Sequence, residues 1–390
     1  MLHASRAQRR FLWRGGIFAI CFAAFLQGCS TPPLRSAREN FYAGRFEQAN
    51  TNLASIPKGD KDEILYLMER GMVRQGLGDF EASSMDWRRA AELDDMLETY
   101  SLSQGAASMV ANDRTLAFRG MPFERTLMFA FLAKNYLAMS EWDYAAICAR
   151  NIIKRLENLN GFPDTAYGRY MAGFCLETIN DTGNAAIQYR AAGQLLTNQV
   201  SIDADSGAIS PAGGPAPPAH PAPKQPSELI CFIAFGRLPK GENCGSSRGG
   251  APPFAEIFCG KKYLGRSYPF SNTLELMAAS RKRLAAIQLA KDATRIAAKA
   301  AVAEAVNRQN EALGALVWLA LFSMEMPDDR CWETLPMWLQ IARVPCPADL
   351  EGYTVVFKNA LGETLWKKDV SRPISRRGGT FISFCRDIGQ

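Results

Sequence analysis

The sequence predicts a mainly α, α+β protein: an N-terminal α-solenoid of stacked helix pairs, then a smaller α+β domain with antiparallel strands and a long helical insertion. Three observations carry this. A pattern of small and aromatic residues recurs at matching offsets between Ala37 and Ala192. A stretch rich in Pro, Ala and Gly, Gly207 to Pro226, divides the chain. Beyond it, short apolar runs bounded by Gly and Pro flank one Ala-rich helical run. The boundaries that follow are a leader over 1–28, a helical-repeat domain over 29–200, a linker or loop over 201–227 and an α+β domain over 228–390.

The leader comes first. Arg6, Arg9, Arg10 and Arg14 precede an apolar core, Gly15 to Leu26, with no acid among them. That order of basic, apolar and then small residues marks a secretory signal, and the core falls short of the roughly 20 apolar residues that span a bilayer. Its end, Leu-Gln-Gly-Cys, resembles the bacterial lipobox, which implies cleavage before Cys29 and acylation there. Two or more acyl chains make a firm anchor where one is marginal. By the same resemblance, Ser30 in place of Asp favours the outer membrane, facing the periplasm. Arg9-Arg10 before Phe11-Leu12-Trp13 loosely resembles a twin-arginine signal, so the export route stays open between that and the general one.

With the leader gone, the net charge falls from +6 to +2, because four arginines leave with it. The basic balance thus belongs to the leader and makes no case for nucleic acid. Eight cysteines remain after Cys21 is removed and Cys29 acylated. In an oxidising compartment some can pair; proximity suggests Cys244 with Cys259 and Cys331 with Cys346, and buried free thiols are the equal alternative. No Cys-x-x-Cys occurs, and no metal or cofactor is expected. Once His3 is lost, the only histidine is His220, inside "PAPPAHPAPKQP". Histidine-based nucleophilic or acid–base catalysis is thereby disfavoured.

The repeats follow in order. Ala37, Gly44, Phe46, Ala49 and Leu53 are matched 34 residues on by Gly71, Gly78, Phe80, Ser83 and Trp87. A third copy reads Ala133, Ser140, Trp142, Ala145 and Ile152, and a fourth Gly173, Asn180, Ala185, Tyr189 and Ala192. The small residue lets two helices approach, the turn follows, and later apolar residues fill the groove toward the next pair. The pattern resembles the tetratricopeptide repeat, and four copies exceed the minimum of about three for a stable stack. An insertion, Asn112 to Phe129, separates copies two and three. Its "FRGMPFERTL", followed by "AKNYLAMSEWDYAAICARN" and, near the end, "RCWETLPMWLQIARVPCP", resembles an uncharacterised family of bacterial outer-membrane lipoproteins with tetratricopeptide-like repeats. That resemblance brings no catalytic residues. Phe118, Arg119, Phe123, Glu124 and Arg125 are its matching positions; Arg119 and Glu124 read either as a recognition pair or as a structural ion pair fixing the inserted loop.

Past the linker, whose composition cannot fold by burial, Leu229 to Phe235 reads as a strand and Glu256 to Tyr263 as another. Thr273 to Asn307 is a helical run with Lys291, Arg295 and Lys299 on one face, a solvated face or one for lipid phosphates. Ala312 to Met324, too short to span a bilayer, reads as a buried helix, with a membrane-dipping segment as the alternative. Tyr353–Lys358, Thr364–Lys368 and Thr380–Cys385 read as antiparallel strands, with "NALGET" as a turn.

Stacked helix pairs enclose a concave groove that ordinarily binds peptides or proteins without catalysis. The repeat register aims Arg38, Met72, Gln75, Lys134, Tyr167, Tyr170 and Glu177 into it. The expected function is a membrane-anchored, non-catalytic interaction scaffold of the cell envelope, held by its lipid and taking an envelope protein or peptide in the groove. The alternatives are an activator or assembly factor of a cell-wall or outer-membrane machine and, last, a cell-wall enzyme, which would need two carboxylates converging in a cleft.

Overall fold

A computed structural model of the chain describes residues 32–55, 59–103, 117–196, 200–213, 227–238, 251–287, 289 and 330–388. Cys29 and the leader, Cys244, the basic face at Lys291, Arg295 and Lys299, and the apolar run Ala312 to Met324 lie outside these residues.

Eight helices pack as four successive antiparallel pairs: α1 (Pro32–Tyr42) with α2 (Phe46–Asn52), α3 (Glu63–Leu77) with α4 (Phe80–Ser103), α5 (Pro122–Ala138) with α6 (Trp142–Glu157), and α7 (Ala166–Thr178) with α8 (Thr182–Leu195). One local device closes all four pairs. Gly44, Gly78, Ser140 and Asn180, seven residues past the small position of each copy, have left-handed backbones with φ of 72°, 81°, 62° and 62°. The next residue's N–H then reaches back five positions: Arg45 to Asn40, Asp79 to Arg74, Glu141 to Tyr136 and Asp181 to Leu176, at 2.8 to 3.0 Å. This is the helix-ending motif in which a left-handed residue lets the following amide satisfy an orphan carbonyl. The small position is just as constrained. A Cβ on Gly71 would sit 2.4 Å from the Trp87 ring, and one on Gly173 2.9 Å from Tyr189.

The second half is two stacked sheets. The first runs β10 (Ser375–Arg377), β11 (Thr380–Arg386), β3 (Glu228–Phe235), β7 (Trp338–Pro345) and β6 (Tyr268–Asn272); the second runs β5 (Lys262–Arg266), β4 (Phe254–Cys259), β8 (Tyr353–Lys358) and β9 (Thr364–Val370). The expected purely antiparallel arrangement is corrected at one place: β11 lies parallel to β3, with Thr380 opposite Glu228 and Arg386 opposite Ala234. The strand expected over Glu256 to Tyr263 is two, turning at Gly260 (φ 59°). A helix, α9, starts at residue 273 right after β6 and is described to residue 287. Asn272 caps it, its Oδ1 accepting from the N–H of Leu274 at 3.0 Å. Among the described residues no helix is long and apolar enough to cross a membrane.

These layers share cores rather than standing apart. Leu229, Cys231, Ile233 and Phe235 of β3 face β4 and β8, with the Phe235 and Phe357 rings 5.2 Å apart. The alternate residues Ile230, Phe232 and Ala234 face the helices and join one continuous core running from Leu34 to Ile382. The protein is therefore three layers, helices on sheet on sheet, and the first sheet lies on the concave side of the repeats. β3 is a continuous apolar run because both its faces are covered.

The boundary at 201–227 changes accordingly. Its start is a hairpin, β1 (Val200–Ile202) with β2 (Ile209–Pro211). Val200 is buried against α8, and the carbonyl of Gly207 accepts the Tyr170 hydroxyl at 2.6 Å. Residues 200–213 thus belong to the packed body rather than to a spacer.

Candidate functional site

At four of the seven positions expected to line an open groove, the partners are supplied by the chain itself. Arg38 is buried; its Nε donates to Glu69 at 2.7 Å, its Nη1 to Glu333 at 2.7 Å and its Nη2 to the carbonyl of Cys331 at 3.0 Å. Tyr167 is buried edge-on to Phe232 of β3, and its N–H donates to Ser271 of β6. Tyr170 is buried between Tyr189 and Phe270. Glu177 receives both Nη1 and Nη2 of Arg343 from β7, at 3.0 and 2.7 Å. The open partner groove expected at these four positions is corrected: their partners are intramolecular, because strands β3, β6 and β7 and the segment Cys331–Glu333 fill the groove.

The segment Cys331–Glu333 acts as a plug. Trp332 packs edge-on to Trp87 and Phe131 at 6.1 and 5.8 Å between ring centres. Its N–H donates to Glu124 Oε1 at 2.8 Å, while Glu124 Oε2 accepts the N–H of Met121 at 2.7 Å. The two sequence segments that carried the family resemblance, around Glu124 and around Trp332, therefore meet. Burial pushes the Glu124 carboxyl up to about 7, against the opposing pull of the two N–H donors. Arg119 does not pair with Glu124. Together with Arg125 and Arg155 it holds the buried Asp94, at 3.0, 3.3 and 3.1 Å, which ties the inserted loop to α4 and α6. Asp94, Asp95 and Glu98 bring their oxygens within 4.8 Å of one another, and the three arginines neutralise that cluster.

The remaining three expected residues, Met72, Gln75 and Lys134, line a cavity of about 440 Å³ between α1, α3 and α5 on one side and β9 and β11 on the other. Its walls are chiefly apolar: Phe41, Phe46, Phe131, Ile374, Phe384 and Trp366. Exposed Gly76, Gly78 and Lys368 stand at its rim. Gln75 donates its Nε2 to Asn135 Oδ1 and to the carbonyl of Phe131, and Asp387, a carboxylate in the wall, accepts the Trp366 Nε1–H at 3.0 Å. Lys134 is 5 % exposed, with its Nζ 4.9 Å from the centres of both the Phe131 and Phe384 rings. Among the described residues no carboxylate comes within ion-pair distance of it. Burial, reinforced by the charge of Arg386, pushes its ammonium down to about 7. Arg386 donates Nη1 to the Met72 sulfur at 2.9 Å and Nη2 to the carbonyl of Thr334, both neutral acceptors, and stacks over Phe41.

Lys368, Phe384 and Arg386 were not foreseen in the sequence. The available signal was the alternation Ile382, Phe384, Arg386 on β11, which puts one cation in line with two apolar residues aimed at the helices.

No family model matches the sequence, and no curated protein matches it. Among solved structures, a crystal structure of MamA is 13% identical, covering 41% of this chain and 73% of that chain at a TM-score of 0.29. A second MamA structure, AMB-1, is 14% identical, covering 43% of this chain and 80% of that chain at a TM-score of 0.29.

Proposed function

We propose that the protein is a lipid-anchored, non-catalytic binding protein of the cell envelope, tethered through Cys29, whose interaction site is the part of the repeat groove that its own sheet leaves open. The observation that carries this reading is the cavity at Met72, Gln75 and Lys134. It is concave, largely apolar and furnished with a few convergent polar groups, which is the usual make-up of a binding pocket. The wall supplies one carboxylate, Asp387, already engaged by Trp366, so the paired carboxylates that a histidine-free hydrolase would need do not converge there. Binding rather than chemistry is what these groups support.

The test is photo-crosslinking in the native cell from probes at Gln75 and Lys368, one inside the cavity and one at its rim. The expected result is a dominant envelope product, lost when Cys29→Ser releases the chain from the membrane, together with incorporation of an alkyne-tagged fatty acid that Cys29→Ser abolishes. Capture of nothing above background from both probes overturns the site, and equal fatty-acid labelling of Cys29→Ser overturns the anchor.

A further inference from the structure

Among the described residues, Lys134 is an amine buried with no carboxylate at ion-pair distance, whereas several other buried charges are directly paired. Arg38 has Glu69 and Glu333, Arg343 has Glu177 and Glu228, and Asp94 has three arginines. Lys134, by contrast, faces two aromatic rings and the cavity, and the nearby Arg386 spends Nη1 and Nη2 on a thioether and a carbonyl. Removing a charge from water without a partner costs several kcal/mol, so such a site is completed by whatever supplies the counter-charge.

We propose that the cavity binds a single-chain fatty acid, its carboxylate seated between Lys134 and Arg386 and its hydrocarbon tail against Phe41, Phe131 and Phe384. The inference rests on the reading of this cavity as the binding site and names its ligand class. Charge complementarity selects an anionic head, since the wall holds three cations, Lys134, Arg386 and Lys368, against the one engaged carboxylate, Asp387. The remainder of the wall selects a tail. A peptide would bring several amide groups, each in need of a partner, whereas Gln75 has both amide N–H groups engaged by Asn135 and the carbonyl of Phe131 and offers only its Oε1. A methylene chain asks nothing of aromatic and aliphatic walls, and each buried CH₂ contributes about 0.8 kcal/mol.

The experiment is calorimetric titration of the mature full-length chain, carrying Cys29→Ser and stripped of bound lipid, with dodecanoate, dodecanol and a peptide ending in three apolar residues. Dodecanoate is expected to bind with 1:1 stoichiometry, at least tenfold more tightly than either of the other two. Lys134→Met, which keeps an unbranched side chain one atom shorter and removes the ammonium, is expected to weaken dodecanoate at least tenfold while leaving dodecanol within twofold. Circular dichroism of the variant checks its fold. Should the variant fail to fold, the comparison of dodecanoate with dodecanol on the unsubstituted residue decides by itself. Equal binding of dodecanoate and dodecanol, tighter binding of the peptide, or an unchanged Kd in folded Lys134→Met overturns the proposal. Crosslinks from Gln75 that persist without dodecanoate binding would sink the ligand and leave the site standing.

Discussion

Lys134 and Glu124 both lie on α5, and each is held away from its ordinary protonation by burial, with opposite consequences for stability. An unfolded lysine keeps its proton to about 10.5, while the folded Lys134 gives it up near 7. Between those values the unfolded state binds more protons, so this residue makes stability rise with pH and imposes its full penalty below 7. Glu124 keeps its proton to about 7 when folded and loses it near 4.5 when unfolded. Its contribution therefore makes stability fall as pH rises from 4.5 to 7, and its penalty is fully present above 7. The unliganded Lys134→Met chain is predicted to be more stable than its parent at pH 6 by on the order of 4 kcal/mol, with the gap closing toward pH 10. Urea denaturation at the two pH values measures it. Glu124→Ala strips acceptors from the N–H groups of Met121 and Trp332 and is predicted to cost about 2 to 4 kcal/mol in the same assay at pH 5. The sequence marked both residues as worth attention. It could not say what met them, because Trp332 arrives from 208 residues away.

At the scale of elements, the four helix pairs were legible because a single local motif recurs. A small residue, a left-handed turn seven positions later and a backward amide bond are all short-range, and short-range rules are written directly in sequence. The same regularity gives a prediction with two signs. Asn180 sits in the left-handed region at φ 62°, so Asn180→Gly should be neutral or stabilising by up to about 1 kcal/mol, whereas Gly78→Ala at φ 81° should cost about 1 kcal/mol. Gly71→Ala presses a methyl to within 2.4 Å of Trp87 and should cost roughly 1 to 3 kcal/mol. Thermal unfolding of the three variants checks the order. Strand β7 was not legible. Gln340 and Arg343 interrupt its apolar run, and both are buried because distant groups satisfy them: Ser267 and the carbonyl of Pro253 for Gln340, Glu177 and Glu228 for Arg343. The parallel pairing of β11 with β3 was equally hidden, since nothing local joins strands about 150 residues apart.

At the scale of the whole molecule, what the repeat register and composition could not reveal is that the chain supplies its own occupant. Arg343 is the clearest sign of this closure. It is 5 % exposed in its side chain and grips Glu177 of α7 and Glu228 of β3 at once, so helices and sheet meet on a single guanidinium. Arg343→Met leaves two carboxylates facing one another without a cation and is predicted to destabilise the entire chain by roughly 3 kcal/mol, not the β-sandwich alone. The most direct measurement is native-state hydrogen–deuterium exchange, read by mass spectrometry, on the unsubstituted protein and on Arg343→Met. Helices α5 and α7 and strands β3 and β7 are expected to open at one common free energy, and Arg343→Met to lower all four by the same amount, as for a single cooperative unit. Strands that exchange at a lower free energy than the helices, with the variant lowering only the strands, would contradict the closed groove and return the concave face to an external partner.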